Sequence, residues 1–209
     1  MEGSGTARRL HFVLGLSLLK LRQPCEAIAP LESALKWPAR PASTLVELGD
    51  ANQGCECWEP AAKAHAEAAR TAADPPRLLR ESAHCWWMAR RYDAAKPLFA
   101  ALMRSRYSAA ADVLYEYGDT LARLEGAASG VPLLEKAVAA DPRLVAAHGA
   151  LGRGLMELGR AAEAVPHLES AATVDAALLL PLSRAYRALN RPADAARAEA
   201  EYKTRSAAR

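Results

Sequence analysis

The chain has 209 residues, enough for one ordinary domain or for an array of repeats. It is 51% hydrophobic but only 6% aromatic, alanine is prominent, and neither alternating strands nor a run of 18 apolar residues occurs, so neither a sheet nor a membrane span is indicated. A net charge of +3 is too small to argue by itself for a nucleic-acid partner.

Residues 1–7 read as a flexible lead-in. Arg8-Arg9 before LHFVLGLSLL is similar to a twin-arginine export signal. Lys20 and Arg22 cut that apolar stretch short and no convincing small-x-small cleavage site follows, so a first helical hairpin over about 8–41 is the expectation. Its first helix is apolar on a second face as well, through Phe12, Leu16 and Leu19. The next hairpin spans about 42–75, with Asp74 placed to cap the helix that follows and Pro75 or Pro76 to open it. In about 76–110, Arg77, Arg80, His84 and Trp87 recur at three- and four-residue spacing and share one helical face, while Trp86 turns into the helix pair. About 111–144 carries Asp112, Tyr115 and Asp119 at the corresponding places; Gly126 and Gly130 weaken its second helix by about 1 kcal/mol each against alanine. About 145–175 holds two amphipathic halves around Gly159-Arg160: His148, Leu151, Gly152 and Leu155 on one face, then Ala164, Leu168 and Ala171. In about 176–209, Pro181 should shorten or bend the first helix, and the last helix has Glu199 and Lys203 where earlier copies are apolar, as a terminal cap requires.

These segments are copies of one unit. A small residue of the first helix recurs at Gly15, Gly49, Ala83, Gly118, Gly152 and Ser183, in steps of 34, 34, 35, 34 and 31. Ala27, Ala61, Ala95, Gly130, Ala164 and Ala195 mark the second helix with the same steps, and Ala34, Ala68, Leu102, Ala137, Ala171 and Tyr202 keep that register. One such hairpin cannot bury both of its apolar faces alone, so the copies must stack. His11-x2-Leu14-Gly15-x2-Leu18, His148-x2-Leu151-Gly152-x2-Leu155, Ala27-x3-Leu31, Ala95-x3-Phe99 and Ala164-x3-Leu168, with Asp74-Pro75 and Asp141-Pro142, resemble the tetratricopeptide repeat family over about residues 8 to 207. Ser82 and Tyr117 replace the motif leucine in two copies, and Gly130 the alanine in another.

The resemblance implies an all-α fold, a right-handed α-solenoid of about six hairpins and 12 antiparallel helices, forming a single array over 8–209. First helices of the family line a concave groove. That register puts Phe12, Leu16, Arg77, Arg80, His84, Trp87, Tyr115, Asp119, Arg153, Arg184 and Arg187 on the groove wall, the candidate binding residues. Asn52 and His65 then stand where large apolar or aromatic residues are usual, and are expected to be satisfied, semi-buried polar groups. The family's chaperone-tail clamp uses Lys and Asn, whereas Phe12, Leu16 and Glu47, or Arg80, His84 and Glu116, fill those places here.

The functional expectation is a scaffold holding an extended peptide or a partner helix, with arginines favouring an acidic segment. The alternatives are a segment of a larger multidomain protein, or a self-associating module, using the apolar face of the first repeat. Asp50, Asp112, Asp119 and Glu157 give the groove mixed charge, which speaks against RNA. No Gly-rich phosphate loop, H-E-x-x-H or Gly-x-Ser-x-Gly is present, so no enzyme and no cofactor are expected. Cys55-Glu56-Cys57 beside His65 and His84 lacks zinc spacing, so no metal is expected. Free thiols are the expectation for Cys25, Cys55, Cys57 and Cys85, ahead of a Cys25–Cys55 disulfide. The cytoplasm is favoured as the compartment, with export left open.

Overall fold

A computed structural model describes residues 2–36 and 41–207, and its secondary structure is helical. The stretch 37–40, where the first two expected hairpins join, lies outside the described residues, as do Met1 and 208–209. The chain forms two compact units, Met1–Tyr107 and Ser108–Arg209.

The first unit holds α1 (Glu2–Lys20), α2 (Pro24–Ala34), α3 (Ala42–Gly54), α4 (Trp58–Ala69), α5 (Pro75–Met88) and α6 (Tyr92–Leu102). Odd-numbered helices are first helices of hairpins and even-numbered ones second helices. Each hairpin closes by setting a large side chain of the second helix on the small residue of the first. A Cβ on Gly15 would come within 2.6 Å of Leu31, and one on Gly49 within 2.5 Å of the His65 ring. In α5 and α6 the same places hold Ala83 and Phe99, both fully buried. Residues 2–7, expected as a flexible lead-in, extend α1 instead: once Arg8–Lys20 is helical, each added residue gains a backbone hydrogen bond.

The turns repeat as closely as the helices. Arg22, Glu56 and Arg90 have φ near +60°. The following N–H groups, of Gln23, Cys57 and Arg91, donate back to Leu18 O, Asn52 O and Trp86 O at 2.8–2.9 Å. This bond pattern ties down carbonyls that the helix end leaves open. Stacking in register also brings the first turn of α2 against the end of α3. Cys25 and Cys55 form a disulfide there, with Cα atoms 5.3 Å apart, which corrects the expectation of free thiols for this pair. Cys57 and Cys85 take no part in a disulfide, the first exposed and the second buried.

Two further expectations change in this unit. Asp74 precedes α5 without capping it through its side chain; its carboxylate takes an ion pair from Arg106 instead. His65 is neither semi-buried nor satisfied: no part of its side chain is exposed and neither ring nitrogen has a hydrogen-bond partner. Asn52, by contrast, is satisfied, donating from Nδ2 to Leu48 O at 2.8 Å.

The second unit holds α7 (Ala111–Glu125), α8 (Ala127–Ala140), α9 (Val145–Glu157), α10 (Ala161–Ala172), a 3-10 turn at Ala176–Leu178, α11 (Leu179–Ala188) and α12 (Pro192–Ala207). Its core runs through Leu134, Leu151, Leu155, Leu168, Leu178 and Leu182. Gly118 and Gly152 repeat the close fit, their hypothetical Cβ atoms falling 2.9 Å from Leu134 and 2.6 Å from Leu168. Gly159 and Asn190 turn with positive φ as in the first unit, whereas the α7–α8 turn uses Gly126 at φ 98°. Pro181 falls in the first turn of α11, which is only 10 residues long. In α12, Glu199 occupies the place of Leu31 and Leu168. It is not an outer-face residue: its carboxylate accepts from Ser183 Oγ at 2.6 Å and pairs with Arg187, a polar version of the large-on-small fit.

Candidate functional site

The candidate residues of the first unit sit on α1 and α5. Phe12 is half-buried against the cluster of Ala27, Leu31 and Ala51, yet it also lines a cleft of about 120 Å³ with Arg8, Arg9, Pro41, Ser43 and Thr44. Leu16 is half-buried beside it. On α5 the spacing of three and four residues gathers His84 and Trp87, ring centroids 6.1 Å apart. His84 also meets Trp58 of α4 edge-on at 6.4 Å. The Arg80 guanidinium lies 5.7 Å from the Tyr107 ring centroid, a cation–π contact, and 3.4 Å from Glu81. Arg77 stays exposed. Trp86 packs inward on Ala61, Ala62 and Cys85.

Between α3 and α5 the electrostatics are acidic. Burial pushes the Asp50 carboxyl up to about 6, with Glu47 and Glu81 adding to the shift and Arg77 opposing it. His65 lies beneath, its Nε2 3.7 Å from Asp50 Oδ1 and thus beyond hydrogen-bond reach. Burial, and then Arg77, hold its imidazole down to about 4, so it is neutral at physiological pH.

In the second unit, α7 and α9 enclose a cleft of about 190 Å³ that brings Asp119 and Arg153 together with Arg123, Gly154 and Glu157. Asp119 is itself buried and accepts from Arg123 Nε at 2.8 Å. Tyr115 is half-buried; burial first, then Asp119, raises its hydroxyl to about 12, so it acts as a neutral donor or acceptor. Arg184 is exposed on α11, whereas Arg187 turns back to Glu199 of α12.

Two features of this unit escaped the sequence reading. A cleft of about 370 Å³ separates α10 from α12, floored by Leu179, Leu182 and Tyr186 and walled by Glu169, Asp194, Arg197 and Glu201. The Tyr186 hydroxyl donates to Glu169 there, and its pKa is pushed up to about 12 by burial and that carboxylate. The last repeat step, 31 rather than 34, was the available signal. The second feature is a histidine pair. His148 Nε2 lies 3.0 Å from Pro142 O and must donate to it; when the His148 ring is neutral its Nδ1 then accepts from His167 Nδ1–H across 2.9 Å, and when it is protonated that bond reverses.

Among the described residues, no group of three or more His, Cys, Asp or Glu side chains could hold a metal ion, and no helix is long and apolar enough to cross a membrane.

No family model and no curated protein matches the chain. Solved structures do. PilF of Pseudomonas aeruginosa is 18% identical, with a TM-score of 0.70 over 99% of this chain and 100% of that one. MamA (41-end) from Desulfovibrio magneticus RS-1 is 18% identical, with a TM-score of 0.69 over 81% of this chain and 95% of that one. MamA MSR-1 is 20% identical, with a TM-score of 0.66 over 80% and 96%. Both kinds of neighbour are tetratricopeptide-repeat proteins. With twelve helices among the described residues, recurring close fits and these likenesses, the chain has the tetratricopeptide-repeat fold.

Proposed function

We propose that the chain is a non-catalytic protein-interaction scaffold, and that its first helices hold an extended peptide or a partner helix. The supporting observation is the make-up of that face in each unit. Arg80, His84 and Trp87 join charge to half-exposed rings on α5, and Arg123 and Arg153 flank the cleft between α7 and α9. Arginine and tryptophan concentrate binding energy at interfaces, and a guanidinium fork recognises carboxylates in particular. An acidic segment of a partner suits Arg77 and Arg80 on α5. Asp119 and Glu157 beside Arg153 give the α7–α9 cleft mixed charge, which suits a peptide better than a polyanion such as RNA.

The test compares capture of partners by the wild-type chain and by Arg80→Glu and Trp87→Ala. The expected result is one partner held by the wild type and weakened by both variants, with helical circular dichroism intact. If that partner's affinity is unchanged in both, the reading is wrong. A salt series with a synthetic polyanion separates RNA from peptide.

A further inference from the structure

In every later hairpin considered within its own unit, the first helix turns one face onto the second helix of the hairpin before it. In α5 this face is Leu78, Ser82 and Cys85: Leu78 packs with Ala68 and Ala69 of α4, Cys85 with Ala61 and Ala62, and Ser82 Oγ donates to Ala62 O at 2.8 Å. In α3, Ala51 and Leu48 pack on Ala27, Ile28 and Leu31 of α2. In α9, a Cβ on Gly154 would lie 2.8 Å from Val131 of α8. The matching positions of α1 are Leu10, Leu14 and Ser17, and they are not covered. Leu10 is 66% exposed and Leu14 49%, with Val13 at 57% and Leu21 at 70% on the same face. An apolar row of this kind, facing water, marks a contact surface.

We infer that this face of α1 is a docking surface for a helix of another polypeptide, one with small apolar residues along its contact edge and carboxylates along the flank that meets Arg9 and Lys20. The edge follows from continuity with the joints inside the chain, where α2, α4, α8 and α10 offer Ile28, Ala62, Val131 and Val165 at one register position and Leu35, Ala69, Val138 and Ala172 at another. The flank follows from charge: helical spacing puts Arg9 and Lys20 along the Val13 edge of the face, and between residues 5 and 25 the chain carries no carboxylate. Charge also disfavours a second copy. Two α1 faces would oppose their arginines, and α12 keeps Ala196 at the first of the register positions just named but puts Lys203 at the second.

The experiment titrates the full chain with a synthetic helical peptide bearing alanines and valines at i, i+3, i+4 and i+7 and glutamates on both flanks. A second peptide has lysines in place of the glutamates. The Glu peptide should bind at least about tenfold tighter than the Lys peptide. Leu14→Glu, an exposed change that leaves the circular dichroism intact, should weaken the Glu peptide by about tenfold or more. Arg9→Glu with Lys20→Glu should reverse the preference between the two peptides. Equal binding of both peptides, no binding, or indifference to Leu14→Glu overturns the inference. So does a dimer by light scattering that Leu14→Glu dissolves, or tighter binding to phosphatidylserine vesicles than to the Glu peptide.

Discussion

Replacing Gly152 by alanine sets two effects of opposite sign against each other. On helix propensity alone, alanine in the middle of α9 should add about 1 kcal/mol of stability. The added Cβ, however, would stand 2.6 Å from both Cγ and Cδ2 of Leu168 and 3.3 Å from its backbone nitrogen. Leu168 has no exposed surface, so it cannot swing into solvent; either α10 shifts outward or Leu168 leaves its rotamer. Overpacking of this sort costs about 1–3 kcal/mol, and with two carbons inside 3.0 Å the upper half of that range applies. The net expectation is a loss of about 1–2 kcal/mol, the difference between those two terms.

Urea unfolding followed by helical ellipticity measures the loss, and hydrogen exchange over α9 and α10 locates it. Gly5→Ala is the control: nothing lies within 4 Å of its Cβ, so propensity alone decides and stability should not fall. Leu168→Ala should cost about 2–5 kcal/mol by itself. Combined with Gly152→Ala, the loss should be smaller than the sum by about 1 kcal/mol or more, because each change then relieves the other. A midpoint that rises in Gly152→Ala, or strict additivity in the double variant, refutes the large-on-small account of how the hairpins close.

The remaining predictions bear on the polar exceptions and the turns. His65→Leu installs the residue found at Leu31 and Leu168 and removes two unbonded ring nitrogens, so stability should rise by about 1–3 kcal/mol in urea unfolding. The pH dependence of that midpoint should also change, because His65 and Asp50 pull it in opposite directions. His65, held down to about 4, loses stability as pH falls from 6.5 towards 4, whereas Asp50, raised to about 6, gains stability as pH falls from 6 towards 3.8. Relative to the wild type, His65→Leu should therefore make the midpoint rise more on acidification between pH 6.5 and 4, and Asp50→Asn should make it fall more. Arg90→Gly should stabilise by a few tenths to about 1 kcal/mol, since φ of 58° burdens a residue with a Cβ, while Gly159→Ala should lose about 1 kcal/mol. Reducing the Cys25–Cys55 disulfide, which spans 30 residues of chain, should lower stability by about 3 kcal/mol and increase hydrogen exchange in α1 and α2.

The fold was legible because its determinants are local and repeated. Gly15, Gly118 and Gly152 announce a close approach wherever they recur, and the matching Leu31, Leu134 and Leu168 lie a fixed 16 residues later. The exceptions were harder. His65 holds the leucine place with no signal of whether its nitrogens find partners, because that depends on what lies above α4 and not on its own neighbours in sequence. Asp74 has the right identity and position for a cap, but Arg106, 32 residues away, takes its carboxylate. Cys25 and Cys55 were visible as residues near adjacent turns; the 5.3 Å between their Cα atoms was not.

The candidate site was legible only as far as helical periodicity reaches. Spacing put His84 and Trp87 on one face, and they do meet; it put Arg184 and Arg187 on one face too, yet Glu199 draws Arg187 to α12. Leu14 and Leu151 show where the limit lies. Both are the leucine of a Leu-Gly pair at the same register, and sequence alone assigns them the same role. Leu151 is 1% exposed beneath the rest of its unit, while Leu14 is 49% exposed on a face that nothing in the described chain covers. A repeat motif specifies which surface is sticky; whether that surface is core or interface depends on the presence of a neighbour, and a neighbour is not encoded in the motif. The residues most informative about partners are therefore those in which a packing motif is intact and its packing is missing.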